Sequence, residues 1–140
     1  MAPQRILIFA EDPRLCRLLL REANAAGFEG LATTERDKLE THYRNLVADI
    51  IFMEVDGRID GLASFLQLMS ACQRGSLVLL TGVDGIERGE IMKVANARGV
   101  KIGGILQKPM GIEAIRAVLR RQNRVTSSVQ PTANDTRGQS

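Results

Sequence analysis

A carboxylate near the end of an apolar run is the first feature of this sequence that asks for a chemical reason. In the stretch ADIIFMEVDGRIDG, residues 48–61, Ile50 to Met53 and Val55 read as a strand buried on both faces, with Glu54 near its exit and Asp56 in the Gly- and Asp-rich loop after it. Three other apolar runs end the same way. RILIFA is followed by Glu11-Asp12, SLVLL by Thr81-Gly82, and KIGGILQ by Lys108-Pro109. In an open parallel α/β sheet the carboxyl ends of the strands face the crevice where ligands bind, so acids, a hydroxyl and a lysine could meet in one crevice. Strand ends are also polar simply because water reaches them, and spacing alone leaves both readings open.

Other chemistries find less support. Cys16 and Cys72 have no CxxC partner and each falls in a helix-like apolar pattern, which predicts buried reduced thiols rather than a disulfide or metal site. His42 is the only histidine and stands near neither cysteine in sequence, so a zinc site or a Cys-His pair is disfavoured. The 19 basic and 16 acidic residues leave a net charge of only +3, the bases are scattered, and with one tyrosine and no tryptophan there is no stacking platform for nucleic acid. No apolar run approaches the roughly 20 residues that span a bilayer, and MAPQRILIFA has too short an apolar run for a secretory signal, so the expectation is a cytoplasmic protein without membrane or nucleic-acid partners.

The elements that must position these residues follow from periodicity. At 140 residues, 44% hydrophobic and 25% charged, the chain suits one ordinary globular domain. Strands are predicted over 5–10, 28–32, 50–55, 76–80 and 101–107, and the Gly103-Gly104 pair in the last lets something approach its backbone closely. The first helix, 13–26, begins at Pro13 with Asp12 as N-cap, buries Leu15, Leu18, Leu19, Glu22 and Ala26, and stops at Gly27. A polar, peripheral helix over 35–46 turns Leu39, Tyr43 and Leu46 inward. Helices over 62–73, 86–98 and 111–121 complete the alternation, the last with arginines at its C-terminal end where the macrodipole favours them. The architecture expected is a single α/β domain with a doubly wound, five-stranded parallel sheet, spanning 1–121, and a flexible polar tail or linker over 122–140.

Taken together, Glu11-Asp12, Glu54, Thr81 and Lys108-Pro109 resemble the receiver domain of two-component response regulators over about residues 4 to 121. Asp49 stands before Glu54 by that family's usual spacing. The resemblance implies a flavodoxin-like (βα)5 fold and an acidic pocket, here Glu11, Asp12 and Asp56, with Glu54 at the phosphoacceptor position. It implies further that Thr81 is the switch hydroxyl, that Lys108 is the phosphate-side lysine, and that Pro109 is a candidate for a cis peptide. Carboxylates would hold Mg2+, and the cation and lysine would neutralise phosphoryl oxygens. The run ARGVKIGGILQKP within 81–110 is similar to receivers attached to EAL-type cyclic-di-GMP phosphodiesterases.

The pattern departs from the family at the chemistry. Glu54 replaces aspartate, and its extra methylene moves the carboxylate by on the order of an ångström, enough to disturb in-line transfer. The acidic pair falls on Ala10 and Glu11, which leaves Glu11 and Glu54 as a weakened or absent Mg2+ site. The loop from Glu54 to Asp60 is one residue short and lacks the customary Met-Pro, and the aromatic switch position holds Ile105. Lys108 then either pairs statically with Glu54, or Glu54 imitates a phosphorylated state and holds Thr81 inward.

These features predict a phosphorylation-independent pseudo-receiver in a bacterial phosphorelay, not an enzyme, that works by protein contact. The resemblance places that contact on the fourth helix, fifth strand and fifth helix, with Arg88, Lys93, Arg116 and Arg120 available, and with a histidine kinase, an output domain or a phosphodiesterase as partner. Self-association on this face is left open. The alternatives are a phosphorylation-competent receiver and a flavodoxin-like binder of a small ligand, although Glu11-Asp12-Pro13 after the first strand would repel a phosphate.

Overall fold

The computed structural model describes residues 4–55, 59–72, 75–81 and 88–129. The strands are β1 Arg5–Phe9, β2 Glu29–Thr33, β3 Ile50–Val55, β4 Ser76–Thr81 and β5 Ile102–Gln107, alternating with α1 Pro13–Ala25, α2 Arg36–Asn45, α3 Ile59–Cys72, α4 Arg88–Ala97 and α5 Ile112–Val129. All strands pair in parallel in the order β2-β1-β3-β4-β5, as the apolar runs and the helical crossovers between them require. This is the flavodoxin-like doubly wound arrangement expected from the sequence.

Two apolar layers flank the sheet. Leu7, Ile51, Met53, Leu77 and Leu79 pack with Leu39 and Tyr43 of α2, Phe65, Leu66 and Met69 of α3, and Ile91 and Ala95 of α4. The alternate residues Ile6, Ile8, Ile50, Phe52, Val78 and Leu80 pack with Cys16 and Leu19 of α1 and Ile115, Val118 and Leu119 of α5. Because strand side chains alternate with period two, Glu54 falls on the α1/α5 side with Ile50 and Phe52. The polar helix α2 is less peripheral than its composition predicted. It supplies Tyr43, among the largest fully buried side chains, edge-on to Phe65 with ring centroids 5.4 Å apart.

Local signals act where expected at the helix ends. Asp12 caps α1, its Oδ1 accepting from Arg14 N at 2.9 Å, and Pro13 opens the helix. Gly27 and Gly99 follow α1 and α4 with φ of +97° and +69°, conformations in which other residues are strained. Among the described residues, no helix is long and apolar enough to cross a membrane.

The last helix departs from expectation. It continues to Val129, so Arg120 and Arg121 lie within it rather than at its C-terminal end, and the macrodipole account of those arginines does not apply. Gln122, assigned above to the tail, is buried, and its Nε2 donates to the Gly103 carbonyl at 3.0 Å. A Cβ on Gly103 would stand 2.6 Å from Gln122 Oε1 and 2.7 Å from Ser76 Oγ, so the group that approaches the Gly103 backbone is this amide. Amphipathic spacing runs out at Arg121 because the residue continuing the buried face is polar, and its amide meets strands distant in sequence. Replacing Gln122 with alanine should lower stability by about 1–2 kcal/mol in urea unfolding, the cost of a lost buried hydrogen bond; a solvated linker residue would leave the midpoint unchanged.

The second clasp of α5 is ionic. Glu22, only 6% exposed on the inner face of α1, accepts from Arg116 Nε at 2.7 Å and Nη2 at 3.5 Å, and Arg116 also stands 3.6 Å from Glu113. Arg116, expected as a free contact charge, is therefore tied into the α1/α5 packing. The Arg116 hydrogen bond holds the Glu22 carboxyl below its ordinary value of 4.5. A folded-state carboxyl that binds its proton less tightly than the unfolded one stabilises the fold above the unfolded value, and that advantage is lost as pH falls through the lowered folded value. The melting temperature of Glu22→Gln should accordingly lie below wild type by a constant margin at neutral pH, and the margin should close as pH drops below 4.5. A margin that persists into acid would mean the pair is not the source.

Candidate functional site

The carboxyl ends of β1, β3, β4 and β5 share one edge of the sheet. Within it Glu54 is 6% exposed, and a buried carboxylate needs its lone pairs satisfied. Both oxygens are engaged. Oε1 accepts from the backbone N–H of Glu11 at 2.6 Å, and Oε2 forms an ion pair with Lys108 Nζ. Lys108 follows β5 and reaches across the end of β4 to do this, its own side chain one-third exposed. One carboxylate thus joins the exits of β1, β3 and β5.

The remaining positions separate. Glu11 contributes its amide, while its side chain is exposed and makes no contact with Glu54. Asp12 is committed to the α1 cap and lies 3.6 Å from Arg14 Nε; the Arg14 backbone hydrogen bond holds its carboxyl below the ordinary 3.8. It caps α1, and it lies near enough to Lys108 at the same sheet edge for that ammonium to favour its charged form as well. Ala10 is fully buried with no donor or acceptor on its side chain. Asp56 and Gly82 lie outside the described residues. Asp49, at the opposite end of β3, accepts from Arg5 N at 2.9 Å and belongs to the lower edge of the sheet.

Thr81 is buried beside Val55 in register, and its carbonyl accepts from Lys108 N at 2.8 Å. Glu54 does not hold its hydroxyl, since among the described residues the carboxylate bonds Glu11 and Lys108 only. The Lys108-Pro109 peptide is cis.

Among the described residues this donor set is poor in free oxygens for a Mg2+ ion. Octahedral coordination wants several free oxygens, whereas Glu54 has both of its own engaged, Ala10 has none on its side chain, and no group of three or more ligating side chains occurs among the described residues. The use of the Glu11 amide could not have been read from the sequence, because a main-chain donor leaves no mark in residue type.

The chain was also compared with known proteins. No family model and no curated protein matches it. Solved structures do. A response regulator from Colwellia psychrerythraea is 20% identical, with a TM-score of 0.66 over 88% of this chain and 99% of its own. The chemotaxis response regulator CheY4 of Vibrio cholerae is 16% identical, with a TM-score of 0.69 over 86% and 99%. The chain has the receiver fold. An orphan response regulator of H. pylori shows it as well, at 17% identity and a TM-score of 0.65 over 86% of this chain and 94% of that one. At such identities the likeness is one of fold, and the receiver fold puts Glu54, Thr81 and Lys108 at one sheet edge without assigning them a reaction.

The Glu54 pair should dominate the local energetics of this receiver fold. Lys108→Met leaves a buried carboxylate with one partner and should cost about 1–3 kcal/mol in urea unfolding, less than a fully buried pair because Lys108 is partly solvated. Adding Glu54→Gln to that variant should recover part of the loss, and purely additive effects would show that the two side chains are not coupled.

Proposed function

We propose that this chain is an atypical receiver of two-component signal transduction, a pseudo-receiver that signals by protein contact and not by phosphoryl transfer. The observation that carries the reading is the closed state of Glu54. The residue at the phosphoacceptor position already holds an amide and an ammonium, the two kinds of group that would otherwise meet a phosphoryl oxygen. The loss of a carboxylate at Ala10 and the longer side chain of Glu54 support the same conclusion.

A contact role needs a surface, and the α4, β5 and α5 side offers one. A groove of about 580 Å³ runs beside β5, lined among others by Met92, Ile105, Ala114, Ala117 and Arg121. Small residues keep its floor low, and Met92 is exposed and conformationally adaptable. The partner we favour is a histidine kinase or an output module, and the similarity of residues 81–110 to receivers joined to EAL-type phosphodiesterases supports an output in cyclic-di-GMP signalling. Self-association on this face would compete with such a partner.

Thr81 and Lys108 favour a second reading, a receiver that still accepts a phosphoryl group, and one experiment separates the two. Titration of the wild-type protein with Mg2+ and then beryllofluoride should leave the amides of Glu11, Glu54, Thr81 and Lys108 unmoved, whereas the Ala10→Asp/Glu54→Asp variant should gain saturable shifts and label with an acyl phosphate. Saturable shifts in the wild type would overturn the pseudo-receiver reading.

A further inference from the structure

A second concavity lies away from these strand ends, around the open edge of β2. There α1 and α2, which cover opposite faces of the sheet, both overhang the edge strand and enclose about 500 Å³, within the range of small-ligand sites. Its floor is apolar or neutral: Leu20 and Cys16 from α1, Ala32 and Thr33 from β2. Its rim carries Arg17 from one helix and Lys38 and His42 from the other, against one carboxylate, Glu35, which lies 3.1 Å from Lys38. Arg17 has no ion-pair partner among the described residues.

The backbone adds a donor. Glu29 N bonds Gln4 O and Ala10 N bonds Thr33 O, so the ladder to β1 uses residues 29, 31 and 33 of the edge strand. Strand alternation then turns the N–H and C=O of Ala32 to the unpaired side, where the cleft is. The Cys16 thiol is bonded to the carbonyls of Ala10 at 3.1 Å and Thr33 at 3.3 Å. Burial pushes that thiol up from its ordinary value, so it stays neutral and adds no repulsion to an anion. Held by two carbonyls, and with no set of three ligating groups around it among the described residues, it does not make a metal site.

We propose that this cleft binds a small organic anion, its apolar body seated on Leu20, Cys16 and Ala32 and its acidic group held by Arg17, Lys38, His42 and the Ala32 amide. Such a ligand would rest on Cys16, whose thiol bonds the Ala10 carbonyl immediately before the Glu11 amide that holds Glu54. The cleft is distinct from the phosphoacceptor position, and its existence does not depend on whether Glu54 can be phosphorylated.

Benzoate, benzylamine and benzyl alcohol share a shape and differ in charge, so amide shifts during titration with each decide the matter. Benzoate should give saturable shifts at Leu20, Ala32, Thr33 and Thr34, with benzylamine at least about tenfold weaker and benzyl alcohol in between. Arg17→Glu should weaken benzoate by about tenfold or more while its melting temperature stays that of wild type; if that variant melts early, Arg17→Gln with Lys38→Gln is the milder substitute and should act in the same direction. Equal binding of benzoate and benzylamine, an unchanged benzoate affinity in the charge variants, or benzoate shifts confined to the groove beside β5 would each overturn the proposal.

Discussion

A charged side chain buried at the end of a central strand constrains everything around it. Glu54 lies where the β1, β3 and β5 exits converge, and its carboxylate is tolerable there only because a main-chain donor from β1 and an ammonium from beyond β5 neutralise it. The length of glutamate matters. One methylene more than aspartate lets the carboxylate span to the Glu11 amide while still meeting Lys108, so one side chain ties three strand ends together. The β4–β5 ladder runs on to the same place, the Lys108 amide bonding the Thr81 carbonyl at 2.8 Å just past the last paired residues.

At the flanks, polar groups do what apolar packing alone would not. Most of α5 is held by Ile115, Val118 and Leu119, but its direction is set by Arg116 on Glu22 near its start and by Gln122 on Gly103 further along. Both contacts have strict geometry, so they specify one placement of the helix against α1 and β5 where apolar contacts would permit several. The groove beside β5 exists because Gly103, Gly104, Ala114 and Ala117 leave room between that helix and the edge strand. Gly103 thus serves twice, lining the groove and holding the Gln122 amide that anchors α5.

How far the chain could be read without coordinates depended on the range of the interaction in question. The strands, the helix starts at Asp12-Pro13, the stops at Gly27 and Gly99 and the parallel architecture were legible, since each rests on spacing and on backbone preferences within a few residues. The end of the last helix was not. Val125 and Val129 alone could not extend an apolar stripe through TSS, and the polar anchor at Gln122 looks like linker until Gly103 is brought beside it. The role of Arg116 is hidden in the sequence for the same reason, because its partner is 94 residues away.

At the site, residue type and order determined which strand ends carry Glu54, Thr81 and Lys108, and period-two alternation determined the face each would take. Tertiary structure alone decided that Glu11 would serve through its amide with its carboxylate in solvent, and that Lys108 would cross β4 to reach Glu54. It also brought Cys16 and His42, distant in sequence, to the walls of one cleft. The physical reason is that patterning reports how each segment partitions between water and core, a local property, whereas hydrogen bonds and ion pairs depend on distances that exist only once all five strands are laid side by side.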